Sequence, residues 1–213
     1  MPVDFKKTAK VLYQPKIAPS IIDVQEMSFI MVDGSGDPNT SIAYKHALEV
    51  LYGLSYCIKM SKMSGAEPEG YYDYVVPPLE GLWWHMDGGA IQDRSDKDSF
   101  CWTSMIRQPE FVTPEAFEFF KAVLAKRKPD LDLSVARLEK FTEGLCVQVM
   151  HIGSYDDEPA TIAAMEQYAA ENGYVFDQSE TRRHHEIYLA DPRKTAPEKL
   201  KTVIRYPVRK VMR

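Results

Sequence analysis

The sequence predicts an α+β protein made of two similar modules, each ordered strand, helix, strand, strand. Each half contains an apolar run that ends in a turn with Gly, Ser, an acidic residue and Pro, at residues 28–38 and 145–159. The last strand of each half carries the tetrad Ile-Arg-x-Pro, at residues 106–109 and 204–207. By analogy with symmetric oligomers, duplicated modules pack about a pseudo-two-fold axis. We therefore expect one central ligand groove between them.

The composition is that of a soluble globular protein. The chain has 213 residues, of which 45% are hydrophobic and 27% charged, enough for one domain with a substantial core. Its net charge of −5 argues against direct binding of nucleic acid, whose phosphates would be repelled. No signal-peptide run or membrane-length apolar stretch is present. The isolated Cys57, Cys101 and Cys146 indicate buried free thiols in a reducing compartment, so we expect a cytoplasmic protein that does not associate with membranes.

We treat residues 1–213 as a single domain, divided into four parts. They are an N-terminal arm (1–22), a first module (23–110), a helical connector (111–143) and a second module (144–213). In the first module, patterning predicts a strand, an amphipathic helix and two strands, at 28–32, 41–60, 71–84 and 100–106.

Capping signals and apolar patterning also predict the elements of the connector and of the second module. Thr113 and Pro114 are typical of a helix start, and a second connector helix is predicted over 133–141. The second module then predicts a strand, a helix and further strands, at 145–150, 161–171, 174 onward, 184–189 and 204–207.

The strand at 184–189 carries the main candidate site. Side chains alternate along a strand, so His184, Glu186 and Tyr188 share one face and His185 begins the core-facing one. A row of polar groups needs a cavity or water, and one face of an antiparallel sheet is often simply solvated. On this segment alone, a ligand site and a solvated face are both open.

A second set of candidates comes from aligning the two halves, which pairs Glu80 with Glu186. Trp84 lies on the same predicted strand face as Glu80, and Trp102 lies on the neighbouring strand. A flat aromatic ligand would stack on such side chains. Because adjacent strand residues point oppositely, Trp83 and Trp84 cannot both face the groove, and we select Trp84. Tryptophans also fill cores, which is the better interpretation for at least one of them.

The sequence predicts no metal and no cofactor. Adjacent histidines diverge on a strand, so only His184 and Glu186 converge, short of a three-ligand catalytic set. The Gly-Ser-Gly turn at 34–36 lacks the lysine and the spacing of a phosphate loop. No Ser or Cys lies in a nucleophile motif.

Three segments together resemble the GyrI-like small-molecule-binding family. They are His-His-Glu-Ile-Tyr-Leu at 184–189 with Asp-Pro-Arg-Lys-Thr-Ala-Pro-Glu-Lys-Leu-Lys-Thr at 191–202, Tyr-Val-Val-Pro-Pro-Leu-Glu-Gly-Leu-Trp-Trp at 74–84, and Asp-Gly-Ser-Gly-Asp-Pro-Asn at 33–39. The resemblance implies two β-α-β-β modules around a groove for bulky aromatic molecules. No helix-turn-helix precedes the first strand, which favours the stand-alone members of the family over its transcription regulators.

A stand-alone subgroup that resembles this chain hydrolyses the strained cyclopropane of DNA-alkylating compounds. The resemblance therefore favours a catalytic role, in which Glu186 activates water and Tyr188 holds the water or donates to the substrate. The strand pattern and the alignment of the two halves give the expected ligand contacts, which are Glu80, Trp84, Trp102 and His184. Pure binding of a drug, interaction with gyrase and effector sensing remain alternatives, as do a homodimer and an unidentified protein partner.

Overall fold

A computed structural model of the protein describes residues 1–89, 91 and 96–211. Its helices are α1 (Phe5–Thr8), α2 (Lys10–Tyr13), α3 (Ile42–Lys59), α4 (Pro114–Arg127) and α5 (Glu158–Glu171). Its strands are β1 (Ser20–Val24), β2 (Met27–Ser35), β3 (Leu79–His85), β4 (Phe100–Gln108), β5 (Arg137–Phe141), β6 (Gly144–Ile152), β7 (Tyr174–Phe176), β8 (His184–Tyr188) and β9 (Lys201–Lys210). The predicted α+β class is confirmed.

One large antiparallel sheet organises the chain. Its strands lie in the order β1-β6-β9-β8-β3-β4-β2-β5, and β7 pairs with the end of β9. The strands β8 and β3 are neighbours in the middle, where Gly81 lies opposite Glu186 and Trp83 opposite His184. Residues 184–188 therefore lie at the centre of the sheet.

Helix starts follow the sequence signals. The Ser41 hydroxyl accepts a hydrogen bond from the Tyr44 N–H at 3.3 Å and begins α3, and Thr113 accepts one from the Ala116 N–H at 3.2 Å and begins α4. Pro114 occupies the first turn of α4, where no backbone N–H is needed. Among the described residues, no helix is both long and apolar enough to cross a bilayer.

The prediction of a second connector helix over 133–141 is wrong. Residues Arg137–Phe141 form β5, which pairs antiparallel with β2 through partners such as Leu138 and Ile30. Short apolar spacings fit a helix and a strand equally well. The edge of β2 decides between them, because it offers backbone hydrogen bonds that the local sequence cannot reveal.

The sheet is covered on both faces, which we name by what covers them. The helix face carries α3 and α5, since Tyr44 of α3 packs on Trp83 and Met165 of α5 clusters with Ile204. The arm face carries the N-terminal arm, whose Tyr13 reaches Glu80. The arm is therefore built into the fold, and its last residues enter β1 beside β6.

Candidate functional site

A cleft of about 1310 Å³ opens on the helix face of the sheet. It lies between α3 on one side and the strand β8 with the segments 154–156 and 189–193 on the other. Its walls are rich in aromatic side chains: Tyr44, Tyr52, Tyr56, Trp83, Phe100, Tyr155 and Tyr188. A cleft of this size and lining suits a bulky, flat, largely apolar molecule.

Glu186 lies at the floor of this cleft and is only 7% exposed. Its Oε1 lies 2.7 Å from His184 Nε2, and its Oε2 accepts a hydrogen bond from the Tyr188 hydroxyl at 2.8 Å. The Tyr188 oxygen in turn accepts a hydrogen bond from Trp83 Nε1 at 2.8 Å. These contacts confirm that His184, Glu186 and Tyr188 share one strand face. They also orient the carboxylate within the cleft.

The phenols around Glu186 stay protonated at neutral pH. Burial, reinforced by the negative charge of Glu186, raises the pKa of Tyr188 well above its usual value. The same two causes raise the pKa of Tyr44, and they raise the pKa of Tyr155 to about 12. All three hydroxyls are therefore hydrogen-bond donors for a ligand, for a water molecule or for the carboxylate itself.

The structure does not bring Glu80 to the cleft. Its side chain points to the arm face, where Oε2 lies 3.0 Å from His185 Nε2 and Oε1 accepts a hydrogen bond from Tyr13 at 3.1 Å. The residue opposite Glu186 is Gly81, one position further along β3. Glu80 and Glu186 therefore lie on opposite faces of the sheet, so the expectation that both line one groove does not match the geometry.

The same register determines which face of the sheet each tryptophan occupies. Trp84 shares the arm face with Glu80 and packs under the guanidinium of Arg183, 4.8 Å from the ring centroid, while Trp83 lines the cleft. The selection of Trp84 as the groove tryptophan therefore does not match the geometry. Trp102 is fully buried and lies so close to Gly34 that a Cβ there would be 2.3 Å from its ring. Its ring touches Tyr44 edge-on at 5.0 Å, so it supports the cleft from behind.

Two groups of residues at the site were not predicted from the sequence. Tyr52 and Tyr56 of α3 line the cleft together with Tyr44, and their spacing of four or eight positions was the signal that could have found this stripe. Glu158, the first residue of α5, is fully buried near Glu186, and no sequence signal marks it. Glu158, His184 and Glu186 each offer one ligand atom within 4.8 Å of the others, so these three residues could hold a metal ion.

Comparison with known proteins identifies the family to which this chain belongs. A family model described as the GyrI-like small molecule binding domain matches residues 17–209. The chain belongs to the GyrI-like family. No curated protein matches it in sequence.

Among solved structures, the chain is similar to a hydrolase from Listeria innocua, with 48% identity and a TM-score of 0.89 over 97% of this chain and 100% of that one. It is also similar to an uncharacterized conserved protein from the same organism, with 49% identity and a TM-score of 0.92 over 97% and 100%. The EcmrR C-terminal domain, at 13% identity and a TM-score of 0.51 over 91% and 98%, shares the fold alone.

Proposed function

We propose that the protein binds bulky aromatic xenobiotics in the cleft and hydrolyses a strained cyclopropane ring in them. The observation that carries the proposal is a buried carboxylate, Glu186, hydrogen-bonded by Tyr188 inside an aromatic cleft. Membership of a small-molecule-binding family supports the ligand class, and the hydrolase name of the similar Listeria innocua protein supports the reaction class.

Binding would use the aromatic walls. Tyr52 and Tyr56 of α3 stand on one side of the cleft, and Trp83 and Tyr188 on the other. A flat ligand between them would gain roughly 0.5–1.5 kcal/mol for each aromatic contact beyond the burial of its surface. A ligand held between these rings would also exclude water from the floor of the cleft, so that solvent would screen the charge on Glu186 less.

The reaction needs a base, and Glu186 is the carboxylate in position. A water oxygen would attack the ring carbon, the strained C–C bond would break, and its electron pair would move into the conjugated carbonyl to give a phenolate. Glu186 takes the proton from the attacking water and then releases it to solvent, from which the phenolate takes a proton. The protonated Tyr188 hydroxyl fixes one carboxylate oxygen, and His184 fixes the other.

A second candidate is binding without turnover, as in drug sequestration, effector sensing or a gyrase-interacting module. Both oxygens of Glu186 already have hydrogen-bonding neighbours, as expected of a carboxylate whose role is to present a fixed charge to a ligand. In this alternative the ligand would leave the cleft chemically unchanged.

The discriminating experiment is incubation of the purified protein with a cyclopropane-bearing compound of the duocarmycin type, followed by mass spectrometry. A product heavier by one water, formed by the wild type and by Glu180→Gln but not by Glu186→Gln, supports hydrolysis. Glu180 is the matched control because it is an exposed glutamate just before β8. Tight binding with intact ligand supports sequestration and contradicts hydrolysis.

We also propose that the two halves are duplicates in a cytoplasmic protein. The central strand order β6-β9-β8-β3-β4-β2 supports duplication, since the first, last and middle strands of each half take equivalent places on either side of the β8–β3 contact. A superposition that fails to pair β2-α3-β3-β4 with β6-α5-β8-β9 would contradict duplication.

The three free cysteines support a reducing compartment, and localisation of a tagged protein in cells tests it.

A further inference from the structure

Three side chains of types that can bind a metal meet at the floor of the cleft and behind it. Glu158 comes from the first turn of α5, whereas His184 and Glu186 come from alternate positions of β8. Glu158 is 0%, His184 1% and Glu186 7% exposed. One ligand atom from each lies within 4.8 Å of the other two. On β8 alone only His184 and Glu186 converge, which is why the sequence predicted no metal. In the structure the third side chain comes from a different element, α5.

We propose that Glu158, His184 and Glu186 bind one divalent transition-metal cation of the Zn²⁺ or Mn²⁺ type. A cation placed between two buried carboxylates would offset the cost of burying their charge. A shared proton can bridge only two of the three groups, whereas a single cation contacts all three. One imidazole nitrogen and two carboxylate oxygens form a donor set that suits these cations.

The geometry needs only a small adjustment. Metal bonds of about 2.0–2.2 Å place neighbouring donor atoms roughly 3–3.5 Å apart. Ligand atoms that are now up to 4.8 Å apart would therefore move closer by about an ångström, and the 2.7 Å contact between His184 and Glu186 would widen slightly. The imidazole is already oriented, because its ring lies 4.6 Å from the ring centroid of Tyr206.

The cation would leave one side open. Glu186 lines the cleft, whereas Glu158 lies fully buried behind it, so the remaining coordination positions face the ligand space. An oxygen atom of a bound ligand or a water molecule would occupy them. Glu186 is also the base of the proposed hydrolysis, so cation binding is measured separately, without any substrate. A cation bound to Oε1, the oxygen beside His184, would leave Oε2 to take the proton from water.

The test is titration of tag-free, EDTA-treated protein with ZnCl₂ and, separately, MnCl₂ by isothermal titration calorimetry. We expect one cation per chain for the wild type, and affinity weakened by at least about tenfold in Glu158→Gln and in His184→Asn. His85→Asn is the matched control. His85 and the exposed Asp87 form a surface pair that could bind the cation instead. This control should bind as the wild type does.

Far-UV circular dichroism and thermal unfolding establish that each variant is folded. A second readout is the visible spectrum of the Co²⁺-loaded protein, which should change in Glu158→Asp because the shorter side chain alters the coordination. The proposal is overturned if the wild type binds neither cation, which would leave a shared proton as the neutralising charge. It is equally overturned if binding is lost in His85→Asn and retained in Glu158→Gln.

Discussion

We expect Arg205→Met to lower the free energy of unfolding by about 3–5 kcal/mol, because it removes the cation from a buried ion network. Arg205 is 1% exposed on the arm face. Its Nη1 donates to Glu143 Oε2 at 3.1 Å, its Nε to Gln148 Oε1 at 3.1 Å, and its Nη2 to the Leu12 carbonyl at 2.5 Å. Three such bonds at about 1.5–3 kcal/mol each set an upper limit near 9 kcal/mol, and burial of the methionine side chain offsets part of it.

Urea unfolding at neutral pH, followed by tryptophan fluorescence, measures this loss. The matched control is Arg209→Met on the same strand, whose side chain is 57% exposed and lies 3.3 Å from Asp177. It should cost less than about 1 kcal/mol. Adding Glu143→Gln to Arg205→Met should cost less than the sum of the single changes, because the two side chains are in direct contact. A loss for Arg205→Met no larger than that for Arg209→Met would refute the reasoning.

The same network predicts the pH dependence of stability. Burial by itself would raise the pKa of Glu143, but the charges of His185 and Arg205 outweigh it and lower the pKa to about 2. Burial would likewise lower the pKa of His185, yet Glu143 and Glu80 raise it to about 9. The contribution of Glu143 to the free energy of unfolding is complete above pH 4.5 and is lost as the pH falls toward 2. The contribution of His185 is complete below pH 6.5 and is lost as the pH rises through 9. Unfolding free energies measured across this range should therefore be highest between the two limits, and Glu143→Gln should flatten the acid side. A pH-independent free energy would contradict the network.

Two further predictions concern the cleft. In Gly81→Ala the new Cβ would lie 2.7 Å from Trp83 Nε1, so it should displace the donor to Tyr188 and slow ring opening by about 10–100-fold in a folded protein, measured by product formation. Gly89→Ala is the control, because its new Cβ would meet only the Asp87 side chain, and it should leave the rate unchanged. Equal rates for Gly81→Ala and Gly89→Ala would contradict close packing at the floor of the cleft. Trp83→Phe should weaken binding of a flat aromatic ligand by about threefold to tenfold in calorimetry, whereas Trp84→Phe on the arm face should not, and equal effects would contradict the assigned register.

Local patterns predicted the elements that carry their own signals. Apolar periodicity predicted α3, the cap Thr113 marked the start of α4, and alternation along β8 placed His184, Glu186 and Tyr188 on one face. These features depend on residues a few positions apart, so one sequence is enough to reveal them.

Features that depend on strand register or on distant partners were not predictable. Whether Glu80 or Gly81 faces Glu186 is set by the pairing of β3 with β8, about a hundred residues apart in the chain. The strand β5 forms because β2 offers it an edge, although its apolar spacing also fits a helix. Glu158 reaches the site only because α5 packs over β6, which nothing in its own sequence neighbourhood indicates.

The central claim is that Glu186 takes the proton from the attacking water. The most direct test is a single-turnover measurement of ring opening with saturating protein, comparing the wild type with Glu186→Gln. The glutamine keeps the size of the side chain and can still contact His184 and Tyr188, so ligand affinity should change little while the rate falls by about 10²–10⁴-fold. A Glu186→Gln protein that binds the ligand and opens the ring at the wild-type rate would contradict the claim.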